Sequence, residues 1–125
     1  EAGVEPIGGP SFEALAPDGS LLSAHAAHTC ELEEGVGAVV VGYDEHATYA
    51  KLAKACLFLR EREGVRFVAT NLDACAKYSN GRMCPGAGML VAAVAKGSGV
   101  EPVVCGKPDQ VLMRAVLAEH GLDAS

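Results

Sequence analysis

A lysine between a buried strand and a helix is the strongest candidate for chemistry in this sequence. The segment Cys105-Gly106-Lys107-Pro108 follows an apolar run, and Pro108 suits the first turn of a helix because its φ is already fixed. An ammonium group beside the amides of a helix N-terminus is a suitable site for a phosphoryl oxygen. A solvated surface lysine would have the same spacing, so the spacing alone leaves both interpretations open.

A second group of candidates lies in a long polar stretch between a predicted strand and a predicted helix. Asn71 and Asp73 could orient a substrate there, or they could hold the loop by Asx-type hydrogen bonds. Gly86 and Gly88 stand at the start of the helix, where a phosphate could approach backbone amides. Close packing explains a pair of glycines at least as well.

Other reactive residues form weaker patterns. His25, His28 and Cys30 have the residue types that bind zinc, but no second pair of ligands follows them, so we predict no metal site. No Ser or Cys has an evident His partner, which leaves nucleophilic hydrolysis within this chain unsupported. The five cysteines include no C-x-x-C pair, and we interpret them as reduced, mostly buried thiols of an intracellular protein.

The elements that must position these residues alternate as strand–helix–strand–helix–strand–helix. Because the apolar runs are short and alternate little, they indicate strands covered on both faces, in an α/β fold with a mainly parallel sheet. We predict strands at 36–42, 65–70 and 100–105, helices at 47–62, 88–96 and 108–120, and a further short strand at 4–7.

Two of the helices have an apolar stripe at helical spacing. The expected stripes are Tyr49, Leu52, Ala53, Cys56 and Leu59 in the first helix, and Leu90, Ala93 and Val94 in the second. Asp44 is expected to cap the first helix, with a direct ligand contact as the alternative.

Composition limits the classes of function. The chain has 125 residues, half of them hydrophobic, which is enough for one domain with a core. A net charge of -6 argues against a nucleic-acid groove, although a local cation can still bind an anionic substrate. No apolar run reaches the ~18 residues of a membrane helix, and no targeting peptide is visible. The sequence lacks an initiator Met, so we expect it to be part of a longer or processed chain.

Six short segments, taken together, resemble the phosphoglycolate and 4-nitrophenyl-phosphate phosphatases of the haloacid dehalogenase superfamily, whose relatives include pyridoxal phosphate phosphatases. They occur in that family's order and at its approximate spacing. The segments are Gly8-Gly9-Pro10, Val36-Gly-Ala-Val-Val-Val-Gly-Tyr-Asp44, Tyr49-Ala-Lys-Leu52, Val68-Ala-Thr-Asn-Leu-Asp73, Pro85-Gly-Ala-Gly88 and Val104-Cys-Gly-Lys-Pro108.

The resemblance implies a two-domain enzyme, with a Rossmann-like catalytic core and a large α/β cap of the C2 type inserted in it. Residues 1–102 would be the cap, and residues 103–125 a strand and helix returning to the core. An Asp carboxylate would attack a phosphate monoester, and the aspartyl-phosphate would be hydrolysed with Mg²⁺ present. Lys107 would stabilise the nucleophile and the phosphoryl group. Residues 73–81 would be the substrate-specificity loop, in which Lys77 and Tyr78 could reach the leaving group.

The sequence also departs from the family pattern. The Asp-x-Asp nucleophile motif, the Thr/Ser motif and the late Gly-Asp-x-x-x-Thr-Asp metal motif do not occur in it. By itself the chain is therefore expected to have no Mg²⁺ site and no turnover. We interpret it as a fragment of a Mg²⁺-dependent phosphatase, with 2-phosphoglycolate as the first choice of substrate and photorespiration as the implied process.

Several alternatives stay open at this point. The substrate could be pyridoxal phosphate or a broad range of esters, and the chain could be a non-catalytic cap or dimerisation module. A thiol-based redox or metal protein ranks last. The implied partners are a small phosphate ester, the rest of the catalytic core and a second copy bound through the cap. The expected location is the cytoplasm or the chloroplast.

Overall fold

Five strands and three helices form the part of the chain that the computed structural model describes, which is residues 3–7, 29–106 and 110–121. The strands are β1 (Ala38–Val41), β2 (Arg66–Ala69), β3 (Cys75–Lys77), β4 (Met83–Pro85) and β5 (Val103–Val104). The helices are α1 (Tyr49–Glu61), α2 (Ala87–Ser98) and α3 (Val111–Glu119).

The main sheet is parallel, in the order β1-β2-β5. Helix α1 connects β1 to β2, and α2 follows β2 on the way to β5, so both connections step across the sheet in one direction. Because such crossovers are right-handed, both helices pack on the same face. This confirms the predicted α/β architecture with a parallel sheet.

The core lies between that face and the two helices. Its buried members are Leu59 on α1, Phe67 and Ala69 on β2, and Val91 and Val94 on α2. Val94 on α2 and Ala69 on β2 are 0% exposed, which places the centre of the core between α2 and the sheet. Burying apolar side chains of this kind is the main term that stabilises the fold.

The opposite face of the sheet carries an uncovered apolar row. The register aligns Val40 with Val68 and Val68 with Val103, so the three side chains lie side by side. Val40 is 64% exposed and Val103 60% exposed. The prediction that the strands are covered on both faces is therefore wrong for the described residues, because α1 and α2 both pack on the other side.

Local signals fix where α1 and α2 begin and end. Thr48, not Asp44, is the N-cap of α1, and its hydroxyl accepts a hydrogen bond from the Lys51 amide at 3.3 Å. Gly99 ends α2 with a left-handed φ of 76° while its amide donates to the Ala95 carbonyl. The sequence predicted both helices to within two residues at each end, whereas the capping role given to Asp44 is corrected.

Three smaller expectations also need correction. Residues 4–7 form no strand; Pro6 has no amide to donate, and Val4 is 80% exposed. Tyr49 is exposed while Ala50 is buried, so the packed face of α1 begins one residue later than the predicted stripe. On α2, Ala93 is exposed while Val91 is buried, since the buried stripe runs through Leu90, Val91, Val94 and Ser98.

A β-hairpin stands where a polar loop was predicted. Strands β3 and β4 pair antiparallel, with Ala76 opposite Cys84 and Lys77 opposite Met83. Gly81 closes the turn with a φ of +81°, a conformation that glycine adopts without steric cost. The hairpin lies between β2 and α2 in the chain, so it emerges from the carboxyl end of the central strand.

Candidate functional site

The carboxyl ends of the parallel strands bring three turns together. The Thr70 amide, just after β2, donates to Val41 at the end of β1, at 3.0 Å. The Cys105 amide, just after β5, donates to Ala69 at the end of β2, at 2.9 Å. Ligands of open α/β sheets collect at this edge, so it is the natural place for a site.

Gly106 marks the tightest approach at this edge. A Cβ atom at this position would overlap the carbonyl oxygen of Thr70, so this backbone position requires glycine. The next residue is Lys107, which lies outside the described residues. Its assignment as the catalytic lysine therefore stays a prediction, while its neighbour Gly106 lies directly against the end of β2.

Asn71 is partly buried in the same place. Its side-chain oxygen Oδ1 is buried and accepts no hydrogen bond within the described part of the chain. Asp73 is exposed, and its backbone carbonyl accepts the Gly88 amide at 3.0 Å. No side-chain hydrogen bond of Asn71 or Asp73 within the described residues supports the Asx-type interpretation. Their role in binding a substrate stays a prediction.

Gly86 and Gly88 let the loop after β2 pack directly on the start of α2. A Cβ on Gly88 would lie 2.6 Å from the Leu72 carbonyl, and one on Gly86 would overlap the Asp73 carbonyl. The Gly86 amide donates to Ala74 and the Gly88 amide to Asp73, both at 3.0 Å. Both amides are thus engaged within the chain, which supports the packing interpretation; a substrate contact for either glycine stays a prediction.

Asp44 anchors the turn after β1 to helix α1. Its Oδ1 accepts the His46 amide at 2.8 Å, and its Oδ2 pairs with the Lys51 ammonium at 3.0 Å. The hydrogen bond from Lys51 is the main reason that the pKa of the Asp44 carboxyl is lowered from its usual value. The Asp44 carboxylate therefore has a structural role. It holds the turn that contains Tyr43 and Glu45 against α1.

Two tyrosine hydroxyls join the hairpin to that turn. Tyr43 Oη and Tyr78 Oη lie 2.9 Å apart, and Tyr43 donates to Glu45 Oε1 at 3.3 Å. The hydrogen bond with Tyr78 is the largest cause raising the pKa of Tyr43 to about 12. The rings are 52% and 44% exposed, so they border open space at the carboxyl edge.

Lys77 and Tyr78, proposed together from the sequence, do not share a face of the hairpin. Successive side chains of an extended chain point to opposite sides, so Lys77 projects away from the side on which Tyr78 meets Tyr43. Lys77 is exposed, and no acidic side chain of the described residues pairs with it. It stays a candidate cation for an anionic substrate.

Comparison with known proteins shows that the chain is similar to several phosphatases. No family model matches the chain. It is 41% identical to phosphoglycolate phosphatase 2 of Arabidopsis thaliana over 95 residues, covering 76% of this chain and 32% of that protein. It is 33% identical to the chloroplastic phosphoglycolate phosphatase 1A of the same plant over 125 residues, covering 99% of this chain and 33% of that protein. The p-nitrophenyl phosphatase from Archaeoglobus fulgidus superposes with a TM-score of 0.61 at 37% identity, over 70% of this chain and 33% of that structure.

The chain is homologous to a segment of the haloacid dehalogenase-type phosphatases. This confirms the resemblance stated from the six short segments. The chain spans about a third of the length of the curated relatives it matches.

An apolar groove begins beside the turn after β1, where residues 42–44 form part of its lining. It has a volume of about 410 Å³ and runs between β1 and α1, lined mainly by Val39, Val41, Leu52, Ala55 and Phe58. The lysines that border it are paired, Lys51 with Asp44 and Lys54 with Glu33. Because its cations are neutralised and its walls are apolar, the groove is poorly suited to a phosphate ester.

The five cysteines are free thiols in the structure. All five lie in the described residues and none forms a disulfide. They are less buried than predicted: Cys75 is exposed and the others are half-buried. Cys56 is fixed between the helices, where its Sγ approaches the Val94 carbonyl at 3.7 Å and burial raises the pKa of the thiol. His25 and His28 lie outside the described residues.

Tyr43 and Glu45 are the residues of this edge that the sequence did not single out. Tyr43 and Tyr78 are 35 positions apart, and no local pattern links them. The Asn80-Gly81 pair was a usable signal for the hairpin, since Asn-Gly is the strongest short-range hairpin turn. Recognising it would have predicted that Tyr78 stands at the end of a hairpin strand, next to the turn.

Proposed function

We propose that the protein is a phosphate monoester hydrolase, with 2-phosphoglycolate as its first-choice substrate, and that this segment selects the substrate. The observation that carries the proposal is the homology with phosphatases across about three quarters of the chain. The two plant relatives are named phosphoglycolate phosphatases, which supports the choice of ester. Pyridoxal phosphate and a broader range of esters are the alternatives.

Within this proposal Lys107 stabilises the transferring phosphoryl group. It follows Gly106, which packs against the end of the central strand, so its ammonium would stand at the carboxyl edge of the sheet. A fixed cation that meets charge developing on phosphoryl oxygens lowers the barrier more than it strengthens substrate binding. Asn71 and Asp73, on the adjacent turn, would orient the ester.

The hairpin would contact the leaving group. Lys77 offers a cation without an acidic partner among the described residues, and Tyr78 offers a phenol at the same end of the sheet. Gly86 and Gly88 would contribute mainly by letting the base of the hairpin pack on α2. Residues 1–102 would then be the cap, and residues 103–125 would belong to the catalytic core.

The described residues do not fit a Mg²⁺ site. Across residues 3–7, 29–106 and 110–121, no three His, Cys, Asp or Glu side chains come close enough together to hold a metal ion. We therefore propose that the Mg²⁺ ligands and the aspartate nucleophile belong to the rest of the catalytic core.

The remaining expectations concern partners and location. The proposed partners are the phosphate ester, the rest of the core and a second copy bound through the cap. No helix among the described residues is long and apolar enough to cross a membrane. Cytoplasm and chloroplast are both retained, and the chloroplastic relative supports the second.

The test is an ester panel with the full-length protein, comparing wild type, Lys107→Ala and a variant with residues 74–80 exchanged for those of a relative. Lys107→Ala should lower kcat on every ester by about 10²- to 10³-fold, as loss of a charge-stabilising donor does. The exchange should change which ester is preferred and leave the best rate within about tenfold.

Lys96→Ala is the matched control, since Lys96 is exposed in the last turn of α2. It should leave every rate unchanged. Rates that survive Lys107→Ala intact would refute the catalytic assignment, and a wild type that hydrolyses no phosphate ester would refute the proposed function.

A further inference from the structure

The hairpin formed by β3 and β4 is held to the rest of the fold at two places only, within the described residues. At its base, the Gly88 amide in α2 donates to the Asp73 carbonyl just before the hairpin, while the Gly86 amide closes the hairpin itself on Ala74. Near its tip, the hydroxyl of Tyr78 meets that of Tyr43. No other side-chain hydrogen bond described in the structure joins the hairpin to another element. All three residues of β3 are exposed, so packing adds little restraint between these two points.

The direction of the hydrogen bonds at the tip can be assigned. A carboxylate only accepts, so the Tyr43 hydroxyl donates its one proton to Glu45 Oε1 at 3.3 Å. The oxygen of Tyr43 must then accept from Tyr78, at 2.9 Å. The two hydrogen bonds therefore form a chain in which Tyr78 donates to Tyr43 and Tyr43 donates to the Glu45 carboxylate.

The turn that receives the hairpin is itself immobilised. Asp44, between Tyr43 and Glu45, is tied to the His46 amide and to the Lys51 ammonium. The Lys51 side chain is only 14% exposed, which anchors the turn to α1. Fixing Tyr78 to this turn therefore fixes the hairpin relative to the whole parallel sheet.

We propose that Tyr43 is a specificity-determining positioning residue, whose hydroxyl holds the β3–β4 hairpin at one distance from the carboxyl end of β1. This inference rests on the proposed function, because the distance matters only if the ester binds between the hairpin and the sheet. A fixed hairpin limits the space for the leaving group, so the site discriminates between small and bulky esters. Tyr43 acts through Tyr78 and need not touch the substrate.

The first measurement tests the link itself in the full-length protein. With ¹³Cζ-labelled tyrosine, each signal is assigned by a Tyr→Phe substitution. Tyr43→Phe should shift the Tyr78 signal, and Tyr78→Phe should shift that of Tyr43. Tyr49→Phe is the matched control; Tyr49 is 64% exposed and should affect neither. If the two signals respond no more to each other than to Tyr49→Phe, the link is absent and the inference is wrong.

The second measurement tests positioning by the ratio of kcat/KM for 2-phosphoglycolate to that for 4-nitrophenyl phosphate. Tyr43→Phe should lower the ratio about fivefold, mainly by raising KM for the smaller ester, since one hydrogen bond is lost. Because both hydroxyls belong to one link, adding Tyr43→Phe to Tyr78→Phe should change the ratio by less than about twofold. A full additional fivefold effect would show independent roles and overturn the inference.

Glu45 supplies a conservative rescue. Glu45→Gln keeps a side-chain oxygen that can accept from Tyr43, so its ratio should stay near wild type, while Glu45→Ala should lower it. Equal losses in both variants would contradict the assigned direction.

The same assays distinguish failure of this inference from failure of the proposed function. If wild type hydrolyses esters and Tyr43→Phe leaves the ratio unchanged, only the positioning role of Tyr43 is refuted. If wild type hydrolyses no ester, the proposed function is refuted and this inference with it.

Discussion

Gly106 has no room for a side chain, because the Thr70 carbonyl occupies the place of a Cβ atom. Together with the hydrogen bond from the Cys105 amide to Ala69, this contact brings the chain after β5 directly against the end of β2. Under the proposed function the next residue in the chain, Lys107, supplies the cation for the phosphoryl group. Gly106 thus has a structural role next to the residue that is proposed to be catalytic.

Gly106→Ala should destabilise the protein by about 1–3 kcal/mol, the usual range for forcing atoms into an occupied space. Thermal or urea unfolding of the protein measures this. Gly37→Ala is the control, because no atom lies within 4 Å of a Cβ built there. An equal loss of stability in both variants would mean that the contact with Thr70 is not responsible.

At the scale of elements, the turn after β1 is tied to α1 by the Asp44–Lys51 ion pair. The pKa of Asp44 is lower in the folded protein than its usual value of 3.8, chiefly because Lys51 donates to it. A carboxyl whose pKa is lower in the folded state than in the unfolded state stabilises the folded protein at pH values above the unfolded pKa. This contribution is lost as the pH falls through the pKa of the folded state.

Asp44→Asn should therefore be less stable than wild type at neutral pH, and the difference should shrink below pH 3.8 as wild type becomes protonated. The Asp44 side chain is 38% exposed, so solvent screening keeps the effect below about 1 kcal/mol. Urea unfolding across this pH range measures it, with Glu63→Gln as a control at an exposed carboxylate. A difference that grows at low pH would contradict the assigned sign.

The elements also show what the sequence could and could not predict. The runs at β1 and β2 and the periodicity of α1 and α2 are local signals, so their order and type were predicted correctly. The hairpin was missed because β3 and β4 have only three residues each, all exposed or half-buried, and show no hydrophobic alternation. The contact between Tyr43 and Tyr78 depends on how the chain returns after β2, which local patterns do not encode.

At the scale of the molecule, one core on one face of the sheet carries the stability of the described fold. Val94 is 0% exposed where α2 meets the sheet, while Val40 on the opposite face is 64% exposed. Both crossovers step the same way, so neither α1 nor α2 reaches the second face. The sequence predicted the parallel sheet but could not predict this one-sidedness, which depends on strand order.

Val94→Ala should cost about 2 kcal/mol, from lost burial and the cavity left behind. The same change at Val40 should cost less than half as much, because little of its surface leaves water on folding. Urea unfolding of the two variants compares them directly. Equal costs would mean that another part of the protein covers the Val40 face.

Because the β3–β4 hairpin is attached at only two places within the described residues, its sequence can change in evolution more freely than that of the core. Its strands pair only with each other, and none of the buried core residues lies on them. Substitutions of the exposed side chains on β3 and β4 should therefore change the folding free energy little, whereas Gly81, with its φ of +81°, should not tolerate a side chain as well. Under the proposed function, ligand preference could then change through these side chains without compensating substitutions in the core.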